Sequence, residues 1–161
     1  MGQTPSLHIV LFEPEIPQNT GAVGRTCVGI DAKLWLVRPI GFQLNDHYLK
    51  RAGLDYWSYL NWEIADNWER LLTRLSEETG QNPPKIWFFT KKAQIEYTQV
   101  QYKTGDILLF GSESRGAPDF IHKHCSETAL RIPIAEQARC LNVSVSVGIA
   151  AFEALRQIRT N

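Results

Sequence analysis

The chain has 161 residues, a length typical of one compact domain, so we predict a single domain over residues 1–161. Hydrophobic residues make up 43% of the chain and charged residues 21%, as in ordinary globular proteins. The formal net charge is zero, which argues against nucleic-acid binding by bulk charge but permits a local basic patch. The sequence has no signal peptide and no long apolar run, so we expect a cytoplasmic protein without a membrane span.

The three cysteines are Cys27, Cys125 and Cys140. They are widely spaced and show no pattern of zinc ligands. We therefore expect reduced thiols rather than a disulfide framework, and no metal site.

Helical and strand patterns alternate along the chain, which predicts an α/β fold with a mostly parallel sheet flanked by helices. The predicted strands are His8–Phe12, Lys33–Val37, Tyr59–Ile64, Ile86–Phe89, Ile107–Phe110 and Leu130–Ile132. The predicted helices are Gln18–Ile30, Asn45–Arg51, Trp68 to about Gly80 with Asp66 as its cap, and Asn142–Arg159 with Asn142 as its cap. The last helix is apolar almost all round, so we expect it to be buried on one side in the core and on the other in a subunit interface.

The first of three polar, glycine-rich segments is Pro17–Arg25, at the start of a predicted helix. Gly21 and Gly24 share one helical face, which favours a close approach of backbone, since glycine costs about 1 kcal/mol in a helix interior. Asn19 and Arg25 would be available to a phosphate or a ribose. A tightly packed, capped helix explains the same residues equally well.

The second segment, Phe110–Gly116, follows a strand and holds a hydroxyl-rich loop between two glycines. A surface turn is one interpretation. A serine-hydrolase elbow is another, but it needs a glycine two positions before Ser114, where this chain has Ser112. A histidine partner, His122 or His124, would be conjecture.

The third segment, Ile132–Ser144, leads from a strand into the apolar helix. Backbone donors at the start of that helix could hold an adenine or a carboxylate, although a simple connection is also possible. The chain has no Gly-x-Gly-x-x-Gly motif, which disfavours a conventional dinucleotide or Rossmann-type methyltransferase site.

Together, the three segments resemble the three motifs of the SPOUT methyltransferases, which are knotted α/β enzymes. Further stretches stand as they do, or nearly so, in one bacterial subgroup, the tRNA (cytidine(34)-2′-O)-methyltransferases. These stretches are Glu13–Gly21, Pro39–Phe42, Lys50–Tyr56 and Glu153–Gln157. The resemblance extends from Ile9 to Ile158 and is specific in the order and spacing of its motifs.

The resemblance implies a C-terminal trefoil knot and a homodimer formed through the C-terminal helix. It implies methylation of the ribose 2′-oxygen of the tRNA wobble nucleotide, a cytidine or a modified uridine, with S-adenosylmethionine as donor, S-adenosylhomocysteine as product and no metal. The macromolecular partner would be the tRNA anticodon loop. The alternatives are the same chemistry at another tRNA position or on rRNA, and a non-catalytic RNA-binding protein.

The resemblance also assigns site residues, from the positions in this chain that match the family's motifs. Those at the donor would be Phe89, Gly111, Ile132, Cys140 and Leu141. Those acting at the ribose or shaping the catalytic site would be Asn19, Arg25, Glu113, Asn142 and Ser144. The candidate RNA contacts are Lys50, Arg51, Lys91, Lys92 and Arg115. Cys140 departs from the serine common in the subgroup, and Lys91–Lys92 replaces its usual Thr-Lys.

Overall fold

An all-parallel sheet lies between two layers of helices. The computed structural model describes residues 2–44 and 55–160. In this part of the chain, seven strands form one sheet in the order β3-β2-β1-β6-β4-β7-β5. Every neighbouring pair is parallel, which confirms the predicted fold class. The strands are β1 Leu7–Phe12, β2 Lys33–Val37, β3 Trp62–Ala65, β4 Ile86–Phe89, β5 Ile95–Glu96, β6 Asp106–Phe110 and β7 Ala129–Arg131.

The helices cover both faces of the sheet because each strand sends alternate side chains to opposite sides. On β1, Ile9 packs in the core that includes residues of the first and last helices, and Val10 packs in the core on the other face. The helices are α1 Pro17–Ile30, α2 Trp68–Thr79, α3 Asp119–His124 and α4 Val143–Thr160, with 3-10 helices at Asp55–Tyr59 and Ser126–Thr128. Within the described ranges, none of these helices has the length and apolar character needed to cross a membrane.

Two details of the predicted elements were wrong. The third strand begins at Trp62 rather than Tyr59, because the residues before it form a 3-10 helix. The cap of α2 is Asn67 rather than Asp66, since the Asn67 side chain accepts a 2.8 Å hydrogen bond from the Arg70 amide. The short elements β5 and α3 were not predicted, because two and six residues are too few to show a period.

The helix predicted over Asn45–Arg51 lies outside the described residues. The trefoil knot stays a prediction. The other predicted helices and strands agree with the structure to within a residue or so at each end.

The order of the strands reverses beside β1. From β1 the chain proceeds outward to β2 and β3, and then continues on the other side with β4, β6 and β7. β1 and β6 are neighbours, so the loops that follow them lie side by side at the carboxyl edge of the sheet. In open parallel sheets this is the place where ligands bind.

α4 is buried on one side only. Val147, Ala150 and Ala154 are fully buried and pack in the core shared with α1, as predicted. The other side of the helix exposes Val145 and Phe152, and Phe152 is 56% exposed. The subunit interface expected on this second side stays a prediction.

Gly24 allows the 3-10 helix at Asp55–Tyr59 to pack closely on α1. A Cβ atom on Gly24 would lie 2.9 Å from Cζ3 of Trp57 and 3.2 Å from Cδ2 of Leu60. On the preceding turn, the carbonyl of Gly21 accepts a hydrogen bond from the Tyr56 hydroxyl. The close approach predicted from the two glycines is therefore made by aromatic side chains.

The substitution Gly24→Ala should lower the free energy of unfolding by about 1–3 kcal/mol, because the added methyl group displaces the Trp57 ring. Gly29→Ala is the matched control on the same helix, since a Cβ there meets nothing within 4 Å. It should raise the free energy of unfolding by up to about 1 kcal/mol. Urea denaturation followed by circular dichroism measures both, and equal effects of the two substitutions would contradict this packing.

Candidate active site

The residues predicted to bind the donor begin at the carboxyl ends of three neighbouring strands. Phe89 ends β4, Gly111 follows β6 and Ile132 follows β7. These strands are adjacent in the sheet, so the three positions lie together. The rings of Phe89 and Phe110 stack at a centroid distance of 4.9 Å beneath them.

Cys140 and Leu141 lie on the loop before α4 rather than at a strand end. Cys140 is exposed, whereas Leu141 and Ile132 are half-buried. Partly exposed aliphatic side chains of this kind suit the flat ring of an adenine. The residues present are therefore compatible with the nucleoside of the donor that the resemblance implies.

The loop after β6 is tight, and only glycine fits at its first position. A Cβ atom on Gly111 would lie 2.6 Å from the carbonyl carbon of Gly116, which is backbone and cannot move aside cheaply. Ser112 and Gly116 exchange two backbone hydrogen bonds of 3.0 and 2.9 Å. The surface turn considered from the sequence does form, and it presents Glu113, Ser114 and Arg115 toward the loop after β1.

Glu113 supplies the negative charge at the start of α1. The first turn of α1 has no acidic residue of its own, and its N-cap Ile16 makes no side-chain capping bond. The Glu113 carboxylate instead accepts hydrogen bonds from the backbone amides of Glu15 at 2.8 Å and Ile16 at 3.1 Å. A carboxylate at a helix N-terminus satisfies free amides and interacts favourably with the helix dipole.

A chain of polar side chains runs from α4 through α1 to Glu113. The hydroxyl and backbone amide of Ser144 both donate to Oδ1 of Asn142, at 2.5 and 2.9 Å. The Asn142 amide donates to Oδ1 of Asn19 at 2.9 Å, and the buried Asn19 amide donates to Glu113 at 3.3 Å. Every bond points toward the carboxylate, so each polarises the next. The structure thus brings four of the five predicted catalytic positions into one network.

Ser114 is tied to Glu15, a residue that the sequence reasoning missed. Its hydroxyl donates to the Glu15 carboxylate, with both oxygens at 2.7 Å, and this hydrogen bond lowers the pKa of Glu15 below its ordinary value. The candidate bases of a hydrolase are engaged elsewhere: the His122 ring packs on Phe88 and the His124 ring on Trp68. These contacts argue against the hydrolase alternative.

Arg25 lies apart from this network. Arg25 is six positions after Asn19, which places it about 9 Å farther along the helix axis and about a third of a turn around it. Its side chain is exposed, and its guanidinium carbon lies 4.9 Å from the centre of the Tyr56 ring. Because the Tyr56 hydroxyl is bonded to α1, the ring is a fixed support for Arg25.

Three of the five candidate RNA contacts lie at the carboxyl edge of the sheet. Lys91 and Lys92 are exposed in the turn after β4. Arg115 is 68% exposed and lies 3.5 Å from Glu13 and 3.7 Å from Glu15, which offset part of its charge. The other two candidates, Lys50 and Arg51, lie outside the described residues. In the parts that are described, no cluster of three or more His, Cys, Asp or Glu side chains could hold a metal ion.

Comparison with known families agrees with this geometry. The family model described as "SpoU rRNA Methylase family" matches residues 6–152, which is most of the chain and includes every residue of the polar network. The chain belongs to the SpoU rRNA Methylase family. The match ends within α4 and includes the first part of this helix.

Individual relatives cover almost the whole chain. A tRNA (cytidine(34)-2′-O)-methyltransferase from Methylovorus glucosotrophus is 38% identical over 150 residues, which are 92% of this chain and 94% of that protein. A protein of the same name from Photorhabdus asymbiotica is 38% identical over 153 residues, 94% of each chain.

The fold matches solved structures. One of them, described as giving structural insights into the 2′-OH methylation of C/U34 on tRNA, has a TM-score of 0.88 and 38% identity, and the match covers 99% of this chain and 100% of that one. An AdoMet-bound rRNA methyltransferase from Sinorhizobium meliloti has a TM-score of 0.80 at 24% identity, covering 96% of this chain and 57% of that one. The likeness to the latter shows a shared fold.

Replacing Glu113 by glutamine should break the junction between the loop after β6 and α1. The glutamine side chain has the same shape but no charge, and its NH2 group would face the backbone amides and the Asn19 side chain, which are also donors. We therefore expect the free energy of unfolding to fall by about 1–3 kcal/mol. Glu127→Gln, at an exposed position of the second 3-10 helix, is the control and should change it by less than about 0.5 kcal/mol. Equal stabilities of the two variants in urea denaturation would argue against this role of Glu113.

Proposed function

We propose that this protein transfers a methyl group from S-adenosylmethionine to the ribose 2′-oxygen of the tRNA wobble nucleotide, a cytidine or a modified uridine at position 34. The observation that carries the proposal is the network from Ser144 to Glu113, which joins family motif positions from three distant segments at one edge of the sheet. Relatives of 38% identity over more than nine tenths of the chain bear the name of this activity.

The donor would be held by the backbone of the loops after β4, β6 and β7, with Ile132 and Leu141 against its adenine. When bound, the donor supplies an already activated methyl group, and S-adenosylhomocysteine remains after transfer. The main task of the chain is then alignment of the ribose oxygen with that methyl group, which can contribute on the order of 7 kcal/mol. The network fixes α1 relative to α4 and so sets the geometry of both parts of the site.

Arg25 would act at the ribose. Guanidinium groups stay protonated in proteins, so a role as general base is unfavourable. Binding the adjacent phosphate and stabilising negative charge that develops on the 2′-oxygen is the easier role, with that phosphate accepting the proton that leaves the hydroxyl. The Tyr56 ring beneath the guanidinium keeps it oriented.

Arg25→Ala should reduce kcat by about 100- to 1,000-fold, because one electrostatic contact to the developing charge is lost. The dissociation constant for S-adenosylmethionine should stay within about twofold, because Arg25 lies away from the strand ends that hold the donor. Arg70→Ala, at an exposed position of α2 on the other face of the sheet, is the control for loss of a surface charge. Loss of donor binding in Arg25→Ala, measured by calorimetry, would remove Arg25 from the catalytic role.

The protein would work as a homodimer formed through α4. The exposed side of this helix carries Val145 and Phe152 directly opposite the face that is packed in the core. Adjacent exposed apolar side chains on a rigid helix are typical of protein interfaces.

Phe152→Glu should therefore convert the dimer into a monomer, because a carboxylate would have to be buried in the interface. Ile95→Glu is the control, since Ile95 is an exposed apolar residue on the edge strand β5. Light scattering coupled to size-exclusion chromatography distinguishes the outcomes. A monomeric parent protein, or a Phe152→Glu variant that stays dimeric, would contradict the proposal.

The function is tested by mass spectrometry of nucleosides from cells that lack the gene. We expect 2′-O-methylation at the tRNA wobble position to disappear, and to return with the parent gene but not with Arg25→Ala. Unchanged methylation at this position would refute the proposed substrate. Loss of 2′-O-methylation at another tRNA position or in rRNA would support a second candidate function, the same chemistry at that other site. The family's description as rRNA methylases favours the rRNA alternative.

A further inference from the structure

A cavity of about 440 Å³ opens beside the edge strand β3 and the segment that follows β2. Its lining combines the aromatic side chains of Phe42 and Trp62, the aliphatic side chains of Ile40 and Ile64, and the guanidinium of Arg38. The volume lies within the range of about 300–1,000 Å³ found for small-molecule sites.

One wall of the cavity is attached to the loop after β1. The segment that contains Ile40 and Phe42 is held at Gly41, whose amide donates a 2.9 Å hydrogen bond to the Pro14 carbonyl. A Cβ atom on Gly41 would lie 3.1 Å from Cα of Glu15. The backbone amide of Glu15 donates a hydrogen bond to Glu113. The Gly41 segment is therefore connected to the polar network through Glu15.

Another lining residue, Trp62, is connected to the turn of α1 that carries Arg25. The Trp62 ring packs against Trp57 at a centroid distance of 5.2 Å, and Trp57 lies on Gly24, the neighbour of Arg25. Tyr56, which supports Arg25, precedes Trp57 in the same 3-10 helix. Trp62 therefore connects the cavity to the aromatic 3-10 helix whose Tyr56 supports Arg25.

The cavity is separate from the proposed donor site. The proposed donor loops follow β4, β6 and β7, whereas the cavity lies beside β3, beyond β1 in the strand order. Its occupant would instead enter from the side of the ribose.

The chemistry of the lining fits a single unstacked nucleotide. Aromatic side chains stack on unpaired bases, and single-stranded RNA loops can splay their bases out to reach such sites. Arg38 is 54% exposed, and its 3.5 Å pair with Asp66, itself 82% exposed, is of the weak surface kind. A phosphate can replace that partner and form two parallel hydrogen bonds with the guanidinium.

We propose that this cavity binds the base of the nucleotide next to the methylated one, with Phe42 and Trp62 against the base and Arg38 at its phosphate. The proposal rests on the proposed function and adds to it a second nucleotide that the enzyme holds. Fixing the neighbour of the target would orient the target ribose toward Arg25 and the donor.

The test uses three anticodon stem-loop RNAs: one intact, one abasic on the 5′ side of the wobble nucleotide and one abasic on its 3′ side. The parent protein should methylate the intact RNA with a kcat/KM roughly 5- to 100-fold higher than one of the two abasic RNAs. Phe42→Ala should lower kcat/KM for the intact RNA by a similar factor. For the abasic RNA that the parent protein methylates poorly, kcat/KM of Phe42→Ala should stay within about twofold of the parent value. Tyr59→Ala, which removes an exposed aromatic ring outside the cavity, is the matched control.

Arg38→Ala changes an exposed side chain and provides a variant whose folding should be unaffected. It should weaken RNA binding and reduce the dependence of that binding on salt concentration by about one phosphate contact. Equal losses by Phe42→Ala on intact and abasic RNAs, or an unchanged salt dependence in Arg38→Ala, would overturn the proposal. Failure of the parent protein to methylate the intact RNA would refute the proposed function instead.

Discussion

The carboxylate of Glu113 joins the two halves of the candidate site. Its oxygens accept three hydrogen bonds, from the amides of Glu15 and Ile16 and from the side chain of Asn19. α1 begins at Pro17 without a capping side chain or an acidic residue of its own, so a residue almost one hundred positions away completes it. Glu113 can do this because Gly111, which has no Cβ, allows the loop that carries Glu113 to form a tight turn.

The topology of the sheet explains why such distant residues meet. β1 and β6 are parallel neighbours at the point where the strand order reverses, and the segments after them therefore leave the sheet side by side. α1 and α4 pack on the same face and place their N-termini near this point, where Asn142 bonds to Asn19. In the proposed function, the donor lies on the β4, β6 and β7 side of this junction and the RNA on the side of Arg25 and the β2 and β3 ends.

Much of the fold and part of the site could be predicted from the sequence. Buried parallel strands such as Lys33–Val37 form apolar runs, and α2 shows a clear helical period, so both were found. The cap of α2 was assigned one residue early because Asp66 and Asn67 are both suitable capping residues. Asn19, Glu113, Asn142 and Ser144 were expected at the site from the family resemblance, but the order of their hydrogen bonds depends on three-dimensional contacts. Glu15 and Trp57 were missed for the same reason, since their roles arise only through Ser114 and Gly24.

The proposed methylation of the 2′-oxygen of the wobble ribose can be tested with one modified substrate. An anticodon stem-loop RNA with a single 2′-deoxy substitution at the wobble nucleotide lacks only the proposed acceptor oxygen. With S-adenosylmethionine carrying a radiolabelled methyl group, the intact RNA should become labelled and the deoxy RNA should stay unlabelled. Equal labelling of the two RNAs would contradict the account, because the methyl group would then be going to another atom.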